Sequence, residues 1–198
     1  MFTYLIGFGR GRFMPKIIEN PKQLILDEAK KILYSEGYVK LNMRNISKAC
    51  GIALGTIYNY YPTKHDLVIG MMTDYWHENL NKLESVRSAE GSFYDKLDKL
   101  FDQLSSFIKT FKDEWLNPGF YAQPDYVRRG TKEENLYVDK LTDLIQDILD
   151  KEIKEGRIKS RVAPSEAARF ILMNFVTIIQ MPAFEYSDFK KILKEIIC

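Results

Sequence analysis

Asn42–Leu67 reads NMRNISKACGIALGTIYNYYPTKHDL, a short helix, a glycine turn and a tyrosine-rich second helix in immediate succession. Asn42 is suited to cap the first helix, because its amide oxygen can accept a hydrogen bond from a backbone N–H one turn on. Ile46, Ala49 and Cys50 follow at spacings of three and four residues, so the sequence expects them on one buried face. Gly51 is the residue type that most readily takes the left-handed conformation that ends a helix abruptly. The second helix is expected from about Leu54 to Tyr61, with Ile57 and Tyr61 inward and Leu54, Gly55, Thr56, Tyr58, Asn59 and Tyr60 outward. Pro62 stops it, and Thr63 with Asp66 three residues on forms a Thr-x-x-Asp variant of the capping box, restarting the chain as a helix at once. A helix, turn and helix with a polar outward face points to DNA.

Upstream, Asn20-Pro21-Lys22-Gln23 places a cap residue before proline at the first helical position, followed by a glutamine able to reach back. Ile25, Ala29, Ile32 and Leu33 form an apolar stripe, and Gly37 supplies the stop. Residues 21–36 are therefore expected as a helix long enough to cover the two short ones.

This third of the chain resembles the TetR/AcrR family of one-component bacterial transcriptional regulators. Ile25-Leu26-Asp27-Glu28-Ala29 with Gly37-Tyr38 is similar to the family's first helix, and Ile46-Ser47-Lys48-Ala49-Cys50-Gly51-Ile52 to its second helix and turn. Gly55-Thr56-Ile57-Tyr58-Asn59-Tyr60-Tyr61-Pro62-Thr63-Lys64-His65-Asp66-Leu67 is similar to the recognition helix and the start of the long fourth helix. Two positions depart from the family pattern. Ala53 stands where a serine or threonine cap is usual, a loss of about 1 kcal/mol that packing can offset. Leu54 stands where a basic or polar residue is common, and can still pack on a thymine methyl.

Composition agrees with this reading. The 198 residues, 45% hydrophobic, are enough for a small domain joined to a larger one. The formal net charge of +2 is unevenly spread. Residues 1–66 hold ten Lys/Arg against five Asp/Glu, and residues 67–198 hold nineteen against twenty-two, so the positive end is the one proposed to meet phosphates. Cys50 and Cys198 form no Cys-x-x-Cys pair; Cys50 is expected in the core and a reducing cytoplasm is the natural setting. His65 and His77 lack carboxylate or cysteine partners at metal-ligand spacing, so neither a metal nor a cofactor is expected, and surface positions are. Phe170–Phe184 is the longest uncharged apolar run, interrupted by Asn174, Thr177, Gln180 and Pro182; it falls short of the ~20 residues that span a bilayer. The N-terminal run from Phe2 to Phe8 is too short for a secretory core.

Gly7-Phe8-Gly9-Arg10-Gly11 does not qualify as a dinucleotide loop, since Pro15 follows and then only helical signals. Residues 1–13 are an extension with two open readings. Met14 is the natural start, or the segment is a basic arm whose Arg10 and Arg12 enter a minor groove.

The fold class expected is all-α, with an N-terminal three-helix helix-turn-helix domain over residues 14–66 and a helical effector-binding and dimerisation domain over residues 67–198. Beyond Leu67 the fourth helix should reach the high eighties. Ser92-x-x-Asp95 caps a helix with Phe93, Leu97, Leu100, Leu104, Phe107 and Phe111 on one side. Asn117-Pro118-Gly119 and Gln123-Pro124-Asp125 read as breaks, and Thr131-x-x-Glu134 as the start of a helix burying Leu141, Leu144, Ile145, Ile148 and Leu149, ended by Gly156. Pro164 opens a helix that is apolar around most of its circumference and so needs partners on several sides. The family commonly dimerises through its two C-terminal helices. Phe170, Asn174, Thr177, Ile178 and Met181, with Phe189, Ile192, Leu193 and Ile196 of the last helix, are the candidates for a homodimer interface.

The resemblance implies a ligand-responsive repressor, released from a pseudo-palindromic double-stranded operator by an unidentified small effector. Two recognition helices in a dimer would meet half-sites about 34–36 Å apart, or multiples of that spacing. Arg44 and Lys64 are placed like family phosphate or base-edge contacts. Leu54, Gly55, Thr56, Tyr58, Asn59 and Tyr60 make up the recognition face, Asn59 being the best candidate to read a base. Tyr75, Trp76, Phe107, Phe111, Trp115, Phe120, Tyr121, Tyr126 and Phe175 could line an aromatic effector cavity, with Asn174 or Gln180 as a polar contact. No nucleophile elbow, His-Glu-x-x-His motif or phosphate loop in a suitable context is present, so no catalytic residue is expected. The alternatives are an organiser or activator of the same fold without an inducer, and a small-molecule carrier with a vestigial DNA motif.

Overall fold

The computed structural model describes residues 18–115, 124–181 and 183–198, with the side chains of 114, 115, 124–131 and 133 set aside. The readings of residues 1–13, of Phe120 and Tyr121, and of the Trp115 and Tyr126 side chains fall outside the described set. Among the described residues there are eight α-helices and no strand: α1 Pro21–Glu36, α2 Met43–Cys50, α3 Leu54–Tyr60, α4 Lys64–Glu84, α5 Phe93–Trp115, α6 Pro124–Lys154, α7 Pro164–Gln180 and α8 Tyr186–Ile196.

The starts of α1, α2, α4 and α5 follow from local side-chain chemistry. The Asn20 side chain accepts from the Gln23 N–H at 3.1 Å, and that of Asn42 from the Asn45 N–H at 3.0 Å. Thr63 and Asp66 close a reciprocal box, as do Ser92 and Asp95. Gln23 does not reach back to its cap. Its amide donates instead to Asp27 and, across to α4, to Asp74 at 3.0 Å, because two carboxylates are stronger acceptors than water can replace.

The three short helices share one core in which Ile25, Ala29, Ile46 and Ile57 are fully buried. Ala49 is not part of it. Ala49 is exposed and Cys50 is half-buried, while Met43, three residues before Ile46, is buried with it. Burial pushes the Cys50 thiol up to about 11. His77 is exposed, whereas His65 is half-buried.

α4 continues through a 3-10 turn, Ser85–Ser88, before α5 begins. In the C-terminal part the expected stripes of α5 and α6 are buried from Phe93 to Phe107 and from Leu141 to Leu149, with Phe111 only half-buried. α6 begins at Pro124, seven residues before the Thr131 start that the cap pattern suggested. Pro124 is the first helical residue rather than a breaker, a position where its missing N–H removes no helical bond and its fixed φ suits the helix. Gly156, with φ of 71°, follows the helix end as expected.

α6 and α7 pack side by side, with Ala167, Ala168, Ile171, Leu172 and Phe175 buried between the C-terminal helices. A charged cluster is enclosed there as well. Glu152, fully buried, accepts from Lys96 of α5 at 2.7 Å and from Arg157, which lies just past α6. The chain end is tied back by antiparallel hydrogen bonds between Lys159 and Cys198, and by the Tyr94 hydroxyl donating to the Ile197 carbonyl. Among the described residues no helix is long and apolar enough to cross a membrane.

Candidate nucleic-acid interface

The turn between α2 and α3 is held by backbone and side chain together. Gly51 adopts φ 66° and ψ 24°, and its N–H returns to the last turn of α2, while the Ile52 N–H bonds the Ser47 carbonyl at 3.2 Å. Those bonds satisfy carbonyls that a helix end leaves open. Ser47 then donates from its hydroxyl to the Ile52 carbonyl at 2.6 Å, fixing the angle at which α3 leaves.

α3 has no side-chain cap, because Ala53 offers none. Its anchorage is apolar instead. Ile57 is fully buried, Tyr61 is 4% exposed, and Leu54 is half-buried against the same core. Leu54 is thus partly spent on holding α3 in place. Gly55, Tyr58, Asn59 and Tyr60 are exposed and Thr56 is half-buried. A Cβ built on Gly55 would meet nothing within 4 Å, so the protein's own packing does not require glycine there.

Arg44 is exposed on the first turn of α2. Lys64 is not comparably available. Its ammonium donates to the Tyr38 carbonyl at 2.9 Å and sits 3.5 Å from the centre of the Tyr38 ring. Burial lowers its pKa from the ordinary lysine value. Lys64 therefore ties the start of α4 to the bend between α1 and α2, a role the sequence could not display because the partner lies 26 residues away.

A second set of charges joins α1 to α4. Lys30 bonds Asp74 at 2.6 Å and Glu78 at 2.8 Å. Burial disfavours the charged lysine, but the hydrogen bonds it donates to both carboxylates outweigh it and raise its pKa. Asp74 is likewise pushed up by burial and pulled further down by Lys30 and Gln23, ending below the usual carboxylate range. α4 is therefore joined to α1 by a charged clamp as well as by an apolar core.

The expected effector residues separate into two groups. Tyr75 and Trp76 of α4 meet Phe107 and Phe111 of α5; Tyr75 and Phe107 stack with centroids 5.0 Å apart. Tyr137 of α6 joins them, 5.3 Å from Phe107, with its hydroxyl donating to Asn79 Oδ1 at 2.6 Å. Tyr137 was not anticipated, although it stands four residues before Leu141 on the same stripe. Phe175 is elsewhere, packed edge-on against Phe101 and Phe189, and Asn174 donates to its own helix at the Phe170 carbonyl. The bundle interior between Leu83, Leu104, Leu144 and Phe175 holds a void of only ≈ 10 Å³. A cleft of ≈ 340 Å³ lies between α4 and α5, with Tyr75, Asn79, Lys82, Gln103 and Phe107 in its walls.

The proposed dimer residues also divide. Phe170, Thr177, Met181 and Ile192 are exposed and Asn174 and Ile196 half-buried, whereas Ile178, Phe189 and Leu193 are buried inside the protomer. Met173, 49% exposed, lies on the exposed stripe with Phe170 and Thr177 and was not anticipated.

Residues 25–71 match the family model for bacterial regulatory proteins of the tetR family. The N-terminal part of the chain is thus similar to the helix-turn-helix segment of that family. It is 21% identical to the HTH-type transcriptional regulator SAR2658 of Staphylococcus aureus over 178 residues, covering 81% of this chain and 95% of that protein. It is 25% identical to the uncharacterized HTH-type regulator YuxN of Bacillus subtilis over 71 residues, 36% of this chain and 24% of that protein. The fold is similar to that of a transcriptional regulator from Cytophaga hutchinsonii, with a TM-score of 0.70 at 17% identity over 89% of this chain and 93% of that one.

Proposed function

We propose that this chain is a TetR-family ligand-responsive repressor that binds a pseudo-palindromic operator as a homodimer and leaves it when a small effector occupies the C-terminal part. The observation that carries the reading is the double duty of α4. One side of it is clamped to α1 by Asp74 and Glu78. Another side supplies Tyr75, Asn79 and Lys82 to the cleft beside α5. A ligand that favours one placement of α4 changes where α3 sits, and so shifts the population of the operator-competent state. Coupling of ~1–3 kcal/mol gives roughly 5–150-fold changes in affinity, within reach of a modest shift.

On the DNA side, Tyr58, Asn59 and Tyr60 reach base edges or adjacent phosphates, Gly55 admits the backbone closely, and Arg44 contacts a phosphate. The exposed stripe through Phe170, Thr177, Met181 and Ile192 is covered by a second copy.

The test uses a duplex recovered from a random pool by the full chain, followed by anisotropy in the presence of fractionated metabolite extract. Release of the duplex by a fraction supports the repressor reading. Intact binding that no fraction disturbs supports a DNA-bound organiser, and failure to recover any duplex supports a carrier.

A further inference from the structure

A helix is usually fixed at its start by the side chain of its own cap, which also satisfies one of the first N–H groups. α3 lacks that device, since Ala53 stands at the cap position and makes no side-chain hydrogen bond. The start of α3 is held from α2 instead. Ser47 engages both backbone groups of Ile52: its carbonyl accepts from the Ile52 N–H at 3.2 Å, and its hydroxyl donates to the Ile52 carbonyl at 2.6 Å. The Ile52 side chain is buried, so this residue is held by its N–H, its carbonyl and its side chain together.

The hold extends into α3. Fixing the Ile52 carbonyl fixes the plane of the peptide that joins it to Ala53, because the peptide bond does not rotate. The Ala53 carbonyl then accepts from the Thr56 N–H at 2.9 Å and the Ile57 N–H at 3.2 Å, the first bonds of α3. A single hydroxyl on α2 thus sets the line along which α3 leaves the turn.

We propose that Ser47 is a positioning residue for sequence reading: its hydroxyl sets the direction of α3 relative to α2, so that Asn59 meets a base edge while Arg44 holds a phosphate. The inference rests on the DNA-binding reading above. Phosphate contacts place a protein on the duplex without reporting sequence, whereas base readout requires the side chain within hydrogen-bonding reach of one edge. Loss of the hydroxyl therefore lowers discrimination between sequences more than it lowers binding to DNA in general. The change is bounded by the worth of one neutral hydrogen bond, roughly 2–12-fold in an equilibrium.

The test compares the full chain with Ser47→Ala, Ser47→Thr and Ile46→Val. The last deletes a methylene from the buried core of α2, lowering stability to a similar degree without touching the turn. Backbone residual dipolar couplings of the free protein require no DNA. In the unaltered chain, Ser47→Thr and Ile46→Val, the couplings of α2 and α3 fit one orientation frame; in Ser47→Ala those of α3 depart from the frame set by α2. Discrimination is then read as the ratio of affinities for a duplex recovered from a random pool and for its shuffled counterpart, a ratio in which any change in the folded fraction cancels. Ser47→Ala narrows it by about three- to tenfold, while Ser47→Thr and Ile46→Val preserve it. The proposal is overturned if α3 keeps its frame in Ser47→Ala, if that variant discriminates as well as the unaltered chain, or if Ser47→Thr or Ile46→Val loses as much. Recovery of no duplex by the unaltered chain sinks the DNA-binding reading instead, and the couplings still decide whether Ser47 orients α3.

Discussion

Asn59 stands exposed on α3, and its amide can donate and accept at once toward adenine. Replacing it with alanine is expected to relax one base position, removing about 1–3 kcal/mol of discrimination there, as read by binding to a set of singly substituted duplexes. The two cations differ in kind. Arg44→Ala should lower the salt slope of binding by about one, because one phosphate contact is lost. Lys64→Met should weaken binding with little change in slope, because its ammonium is engaged by Tyr38. Equal slope changes in both variants would contradict that division. Gly70 poses a different question, since a Cβ there would lie 2.7 Å from Cε1 of the Tyr61 ring. Alanine gains ~1 kcal/mol of helix propensity, but overpacking a ring of fixed shape costs ~1–3 kcal/mol, so Gly70→Ala should destabilise the protein by about 1 kcal/mol in thermal melts. A more stable variant would show that Tyr61 moves freely. Asn59 was legible in the sequence because its exposure follows from helical spacing, whereas the engagement of Lys64 and the need for Gly70 depend on contacts made in space.

Helix starts were legible wherever the chemistry is local. Asn20, Asn42, Thr63 and Ser92 each bond a group within three residues, so the pattern is complete in the sequence. The start of α6 was missed because proline serves equally as breaker and as first helical residue, and only the preceding chain direction decides. How α1 holds α4 was also invisible, since Lys30 and Asp74 are 44 residues apart. Lys30→Met should cost about 2 kcal/mol, the worth of charged hydrogen bonds that leave Asp74 half-buried, with Lys30→Arg milder; chemical denaturation measures both. Near the end of α6, Glu152 gives a pH signature. The hydrogen bond from Arg157, against the opposing effect of burial and aided by Lys96, holds its carboxyl down to about 2. In the unfolded chain the group titrates near ~4.3. Its contribution is therefore complete above that unfolded value and is lost as pH falls toward 2. In Glu152→Gln the stability should be lower at neutral pH and flatter across the acid window.

At the scale of the whole molecule, an apolar helix such as α7 announces in sequence that it has several partners, but not which residues meet which. Ile178, Phe189 and Leu193 were equally plausible as interface, yet they fill the protomer's own core, while Phe170, Met173, Thr177 and Met181 remain along one outward stripe. Ile192, 52% exposed on α8, extends that surface. Phe170→Glu should therefore convert a dimer into a folded monomer by light scattering and reduce affinity for the full operator by ~10²-fold or more, since the second half-site is no longer engaged together with the first. An unchanged mass in that variant would place the interface elsewhere. Tyr75, Trp76, Phe107 and Phe111 meet between α4 and α5, whereas Phe175 and Asn174 belong to a different part of the bundle. Ring spacing along a helix does not say which neighbour it faces.

The central claim is that two copies of α3, held at a fixed separation, read a symmetric DNA site. Selection of duplexes from a random pool by the full chain, followed by sequencing, tests it most directly. An enriched inverted repeat, with half-site centres about 34–36 Å apart or a multiple of that, is the result expected. Enrichment of nothing above the starting pool, or of an asymmetric single site, would contradict it.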